Sequence, residues 1–540
     1  MEEKLMYARF FRVSSSQQWF PPSPSGSDPL FWGRTMAASL ELSGQPLKLE
    51  EIAQAASGAL QPSLSSCARD RIESSRLVVE KQLRDKKVVY GINTGFGKLA
   101  DVHIPDCEIE RLQINLVRSH AAGVGEPLSE PETRALMLLR ANVLATGHSG
   151  CRPVLIDTLF QMMAEGICPR IPSKGSVGAS GDLAPLAHLA LAMIGEGECF
   201  YRGNRVSSGE ALHASGIAPV RLEAKEGLAL LNGTQAMGAV GALALLRAER
   251  VAKLADLAGA MSLEALRGTP VAFDPRIHAA RPHSGQLASA AHLRELLENS
   301  EIRNSHLYGD PRVQDAYCLR CMPQVHGAVR AALAHARETV EIESGSATDN
   351  PLVFIEAEEI LSGGNFHGAP LGMVYDYAAI ALTDLMSIAE RRIDRLLNPD
   401  LNEGLPPFLS PEPGVSSGYM MAQVCVAALL NEAKVLAHPA SSDSVPTSGG
   451  KEDHVSMGMT AALKLRQIVD DAENVLAVEL MAATEGLDYR RPLRSSAPIE
   501  AAREIVRGIA PRLTEDRPPG PDIEALAGAL RRGDFDRFAK

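Results

Sequence analysis

The chain is 540 residues long, with 45% hydrophobic residues, 22% charged residues and a formal net charge of −12. That length permits a large buried interior and the composition is that of an ordinary globular protein, while the acidic excess argues against a surface for nucleic acid or an anionic membrane. The eight cysteines, at 67, 107, 151, 168, 199, 318, 321 and 425, are scattered. This is the usage of a reducing compartment, the cytoplasm, rather than of a disulfide scaffold.

The first 36 residues differ from the rest of the chain. They hold both tryptophans, Trp19 and Trp32, with Tyr7, Phe10, Phe11, Phe20 and Phe31, in a chain only 4% aromatic. The stretch "PPSPSGSDP" (21–29) has too few backbone donors for a regular element. It lacks the apolar core of a secretory signal. Residues 1–36 are therefore expected to be an extension outside the fold, with Met36 as a candidate start.

From 37 onward the pattern is helical, with Gly- and Pro-marked connectors. An N-terminal lobe is expected over 37–235 and a helical bundle with C-terminal helices over 236–540. One short strand is expected near 88–92, at the end of "RLVVEKQLRDKKVVYGI". Apolar residues recur at helical spacing over 236–266, 325–343, 370–397 and 456–485, and several of these stretches are rich in alanine, which suits close packing. The stretch 227–246, "GLALLNGTQAMGAVGALALL", is apolar enough to raise the question of a membrane span. Asn232, Thr234 and Gln235 make that expensive in lipid, so it reads as protein interior. Cys318 and Cys321 form a single CxxC without a second pair at zinc-site spacing, and read as core cysteines rather than a metal site.

The chemically distinctive stretch is "GSVGASGDLAPLAH" (175–188). A phosphate loop would need Lys and then Ser or Thr after its last glycine, but Asp182 follows Gly181. A hydrolase elbow needs G-x-S-x-G, but the order here is Gly178-Ala179-Ser180-Gly181. Two readings stay open. One is a Gly-rich turn capping a helix at Asp182. In the other, the amide nitrogen of Gly181 attacks the carbonyl of Ala179 and closes a ring over Ser180. Loss of water, including the serine hydroxyl, then leaves an exocyclic methylene, an electrophile that no ordinary side chain supplies. Closure demands a contorted backbone, which glycine permits.

The same stretch resembles the signature of the aromatic amino-acid ammonia-lyases, which make 4-methylideneimidazole-5-one (MIO) from Ala-Ser-Gly. Further segments are similar to that family in order: "YGINTGFGKLA" (90–100), "NLVRSHAAGVGEPL" (115–128), "EGLALLNGTQAMGA" (226–239), "VQDAYCLRCMPQVHGA" (313–328), "SATDNPLVF" (346–354), "GGNFHGAP" (363–370) and "KEDHVSMG" (451–458). Within the family they look most like its histidine-selective members. The resemblance implies a mainly α fold, a long helical bundle with an N-terminal lobe carrying the MIO loop, in the aspartase/fumarase-like architecture. The "GSxxMPxKxN" signature of fumarase-type lyases is absent. It also implies a homotetramer with active sites assembled from three subunits, and no external cofactor.

By the same resemblance Ala179, Ser180 and Gly181 form the MIO, and Asp182 assists cyclisation. The ring sits over helix N-termini, whose partial positive charge draws electrons from it. Tyr90 matches the lid tyrosine that removes the β-proton. A free phenol titrates near 10, so a tyrosine base needs surroundings that favour phenolate. Gly91, Gly95 and Gly97 suit a closing loop. Arg320 matches the carboxylate clamp, its fork gripping two oxygens at once. Tyr317 lies three residues earlier, on the same helical face. Asn232 and Gln314 add neutral hydrogen bonds. Ser119 and His120 stand where phenylalanine-selective relatives carry an apolar residue, and an imidazole there can exchange a hydrogen bond with a substrate imidazole. Glu452 stands where phenylalanine- and tyrosine-selective members carry an amide; a carboxylate favours an imidazole and can take a proton from the leaving amine. Phe366 packs beside the substrate. Lys451 departs from the glutamine common before this glutamate and, if paired with it, would lower its basicity.

The expected activity is elimination of ammonia from L-histidine to give trans-urocanate, in histidine degradation. Its rivals are a tyrosine ammonia-lyase, an MIO-dependent 2,3-aminomutase, and a catalytically silent helical scaffold. The intact Ala179-Ser180-Gly181 argues against the last.

Overall fold

The computed structural model describes residues 38–95 and 97–540; the extension expected at 1–36 lies outside them. Four helices form the centre, Gln235–Ala265, Met322–Ser344, Ala369–Leu397 and Gly458–Tyr489. Each falls within a few residues of the range read from apolar spacing. Alanine has the highest helix propensity, and its single methyl lets neighbouring axes approach closely. Of the four, Gln235–Ala265 and Gly458–Tyr489 are buried along most of their length, so the mainly α bundle expected from the sequence is what the chain forms. Ala369–Leu397 is long and apolar enough to cross a membrane by length and composition, and it is mostly buried against its neighbours.

The charged residues that interrupt these helices are paired inside the bundle. Arg392 and Glu479 are both fully buried and meet side by side, with Nε–Oε1 at 2.5 Å and Nη2–Oε2 at 3.0 Å. Ser262 donates to the same carboxylate at 2.9 Å. Asp256 accepts hydrogen bonds from Ser289 (2.6 Å), His292 (3.1 Å), His326 (2.7 Å) and Arg330 (2.5 Å). Pairing of this kind offsets the cost of burying these charges.

Strands are short and peripheral. Ala38–Leu42 pairs in parallel with Leu60–Leu64, and Glu198–Tyr201 pairs with Asn204–Ser207 as a hairpin. The strand expected near 88–92 is not formed. The helix Ser66–Arg84 ends, and the chain then turns, with the amides of Ile92 and Asn93 both donating to the Val89 carbonyl and Gly91 at φ +76°. Two valines gave the β signal; the glycine after Tyr90 gave the turn, and the turn won.

Residues Ala38–Lys540 form one compact unit. The expected division at 235/236 falls inside it, at the first turn of Gln235–Ala265, which also packs against the Glu130–Ala145 helix. Asn232, Thr234 and Gln235 are all buried, as protein interior requires. The CxxC pair is unbonded, with Cys318 buried and Cys321 half-buried, and among the described residues no cluster suited to a metal occurs.

Candidate active site

The glycine-rich loop sits where four helices begin. Asp182 is the N-cap of Leu183–Met193, and its Oδ2 accepts the Met237 amide in the first turn of Gln235–Ala265 at 2.8 Å. The Gly178 carbonyl accepts from Gly368, the N-cap of Ala369–Leu397, at 3.2 Å. The Val177 carbonyl accepts from Met457, the N-cap of Gly458–Tyr489, at 2.8 Å. The N-terminal ends of four helices, with their positive dipole ends, therefore converge on residues 177–182, and the loop satisfies amides that lack intrahelical partners.

Residue 181 has to be glycine. Its φ is +75°, and a β-carbon there would lie 2.1 Å from the Gly233 carbonyl oxygen. That same oxygen accepts the Asp182 amide at 2.7 Å. Asp182 is fully buried, and burial pushes its carboxyl up to about 6 although amides, the Ser176 hydroxyl and the charge of Arg140 oppose the shift. These residues fit a ring made from 179–181: a flexible nitrogen donor, a serine hydroxyl to lose, and a loop held on both sides.

Tyr90, His120, Ala179, Ser180, Asn232, Phe366 and Glu452 line one cavity of about 930 Å³. They come from the turn after Ser66–Arg84, the last residue of Ile109–His120, the glycine-rich loop, the end of Glu226–Leu231 and the loops before Ala369–Leu397 and Gly458–Tyr489. The Ser180 hydroxyl donates to Glu452 Oε1 at 2.6 Å. Thr447 and Ser448 donate to Oε2, both at 2.7 Å. Burial pushes the Glu452 carboxyl up, but these three hydroxyls, and then the nearby His120, outweigh it and hold it below the usual carboxylate value. Lys451 lines the cavity without pairing with Glu452, which is held by hydroxyls instead.

His120 Nδ1 lies 2.9 Å from the Leu116 carbonyl and 3.0 Å from Ser119 Oγ. A carbonyl only accepts, so Nδ1 carries the hydrogen and the neutral ring keeps Nε2 as an acceptor. Asn232 is buried and donates to the Asn350 carbonyl at 3.0 Å.

Gln314, Tyr317 and Arg320 do not join this cavity. Gln314 is exposed, and Tyr317 is 72% exposed on the short helix Tyr317–Arg320. The shared face read from their spacing is real, with the Arg320 guanidinium 4.3 Å over the Tyr317 ring. Arg320 Nε has no hydrogen-bond partner.

The cavity also holds groups to which the sequence alone attached no role. Asn350 fixes its wall by donating to Ser362 (3.1 Å) and accepting from the Gly363 amide (2.7 Å). His367 and His454 stack with ring centroids 5.7 Å apart. Lys98 and Asn115 line it as well. Asn350, His367 and His454 lie inside the family-like segments 346–354, 363–370 and 451–458, so the signal was present without a function to assign it.

A model of the aromatic amino acid lyase family matches residues 47–508. The chain is 54% identical to a histidine ammonia-lyase of Anaeromyxobacter sp. (strain K), over 92% of this chain and 99% of that one. It is 53% identical to one of Koribacter versatilis (strain Ellin345), over 93% and 99%. Among solved structures it is similar to histidine ammonia-lyase from Trypanosoma cruzi, with TM-score 0.86, 42% identity, and 93% and 95% of the two chains covered. It is also similar to tyrosine aminomutase from Streptomyces globisporus, with TM-score 0.88, 39% identity, and 93% and 98% covered. With a helical bundle, a serine in a glycine-rich loop at four helix N-termini and these relatives along nearly its whole length, the chain belongs to the aromatic amino acid lyase family.

Proposed function

We propose that the protein is a carbon–nitrogen lyase that eliminates ammonia from L-histidine to give trans-urocanate, using an electrophile formed by its own residues 179–181. The observation that carries the histidine reading is the pairing of an imidazole acceptor and a carboxylate, His120 and Glu452, in the cavity that contains Ser180. A phenyl ring has no use for either.

Ala179, Ser180 and Gly181 would hold the MIO ring, which supplies an electrophile for the substrate. The chain's other residues do the rest. His120 Nε2 accepts an N–H of the substrate imidazole. Glu452, kept ionised, faces the same ring, takes a proton from the substrate ammonium to free its lone pair, and returns that proton as ammonia departs. Tyr90 takes the β-proton, the C–H electron pair becomes the new double bond, and the C–N bond breaks to release ammonia. Asn232 supplies a neutral hydrogen-bonding group beside the reacting centre.

In this reading the carboxylate clamp comes from another copy. Arg320 and Tyr317 lie outside their own cavity, half-buried and exposed respectively, so a homotetramer would bring the Gln314–Arg320 segment of one subunit to the cavity of the next, where Arg320 grips the α-carboxylate. Free cysteines throughout the described residues fit a reducing cytoplasm.

A tyrosine ammonia-lyase or a 2,3-aminomutase would use the same loop and lid. The test supplies histidine, tyrosine and phenylalanine and analyses each for the acrylate and the β-amino acid. Urocanate from histidine as the dominant product supports the proposal; preference for tyrosine, or a β-amino-acid product, overturns it.

A further inference from the structure

Arg140, in the Glu130–Ala145 helix, is fully buried. Its guanidinium donates to two backbone carbonyls, those of Ala229 (2.9 Å) and Asn232, rather than to a carboxylate, and its Nε has no partner. Burial pushes its pKa down to about 10, with Asp349 and Asp182 among the charges that partly offset this. A buried cation held in this way is costly, and Arg140 itself does not line the cavity.

What it holds is the exit of a short helix. Glu226–Leu231 ends at Asn232, where the backbone becomes extended. The last carbonyls of a helix lack intrahelical partners and carry partial negative charge, which a cation at the C-terminus complements. Arg140 satisfies two of them. The next residue, Gly233, gives its carbonyl to the Asp182 amide and pairs with Gly181 as an isolated bridge. Contacts are close at both ends of this chain of residues. A β-carbon on Gly233 would lie 2.7 Å from Arg140 Nη2, and one on Gly181 would lie 2.1 Å from the Gly233 oxygen. Arg140 thus sets the place of Asn232–Gly233, and Gly233 in turn forms the wall behind Gly181.

Resting on the reading that residues 179–181 cyclise, we infer that Arg140 is a positioning residue for that cyclisation. In the reaction the Gly181 nitrogen bonds to the Ala179 carbonyl carbon. The carbonyl oxygen leaves as water with the N–H hydrogens of Gly181 and Ser180, leaving a C=N bond. The Ser180 hydroxyl leaves as a second water with its own α-hydrogen, leaving the exocyclic methylene. No oxidant is needed. Arg140 acts on the first step, by holding the Gly233 wall so that the Gly181 nitrogen stays against the Ala179 carbonyl. A lysine ammonium is a point charge and cannot span both carbonyls as the fork does.

The experiment measures intact mass on the native-size fraction of wild type, Arg140→Lys and Arg140→Gln after equal expression times, with far-UV circular dichroism as the check on folding. Wild type should lack two waters. In both variants the fraction lacking two waters should fall to below about a tenth of the wild-type value, because misplacing reacting atoms by about an ångström costs on the order of 10²-fold in rate. A native-size variant that is dehydrated as fully as wild type would overturn the inference. Failure of both variants to give any native-size fraction would assign Arg140 to folding alone and overturn it too. Wild type at full sequence mass would overturn the ring reading itself, and this inference with it.

Discussion

The hydroxyl of Ser180 donates to Oε1 of Glu452 at 2.6 Å, joining residues 272 positions apart in the chain. The proposed ring formation would remove that hydroxyl and free the oxygen that accepted it toward the substrate, while Thr447 and Ser448 keep hold of Oε2. Glu452→Gln preserves the shape and removes the charge. Histidine kcat/KM should fall at least about tenfold, roughly 1.4 kcal/mol, with a smaller effect on any residual phenylalanine turnover. Equal losses on both substrates would show that Glu452 does not read the imidazole.

His120→Leu removes the acceptor that the proposed function pairs with a substrate N–H. An unpaired group in a closed pocket costs on the order of 1–3 kcal/mol, so histidine turnover should drop about tenfold or more. The ratio of histidine to phenylalanine efficiency should drop with it. An unchanged ratio would remove His120 from substrate selection.

With Arg320 as the proposed carboxylate clamp, Arg320→Lys keeps the charge and loses the two-pronged grip, and catalytic efficiency should fall by roughly 1.5–3 kcal/mol. If Arg320 serves a neighbouring subunit, co-expressed Ser180→Ala and Arg320→Ala chains should regain measurable turnover, because mixed tetramers contain sites with both residues intact. No regain would mean that Arg320 serves its own chain.

Most of the bundle was legible because its signal is local and repetitive: alanine and leucine at helical spacing fixed the four central helices to within a few residues. The loop 175–182 was legible because Ser180 and its glycines are adjacent in sequence. Two things were not. Val88 and Val89 carry β propensity, but Gly91, at φ +76°, turns the chain, and propensity alone does not show which prevails. Arg140 reads as an ordinary helix charge; only the fold shows that the carbonyls of Ala229 and Asn232 end a helix against it. Nor does one sequence tell that Arg320 lies outside its own chain's cavity.

Asp256 tests the bundle independently of the site. Burial pushes its carboxyl up, but hydrogen bonds from His292 and His326 and the charges of His326 and Arg330 outweigh this and hold it well below the usual range. A carboxyl depressed in the folded state adds stability above its unfolded pKa, and loses it as pH falls through the folded value. Asp256→Asn should therefore cost about 3–5 kcal/mol near neutrality, and the gap from wild type should narrow below about pH 3.9. Denaturant unfolding at several pH values checks this; a gap that does not change with pH would contradict it.

The central claim is that residues 179–181 make their own electrophile, and the most direct measurement is the mass of the peptide containing them, taken from protein that turns over histidine. The account predicts a deficit of two waters confined to that peptide, and at most one water missing in an inactive but folded Ser180→Ala. A wild-type peptide at full sequence mass, or wild-type turnover by Ser180→Ala, would contradict it.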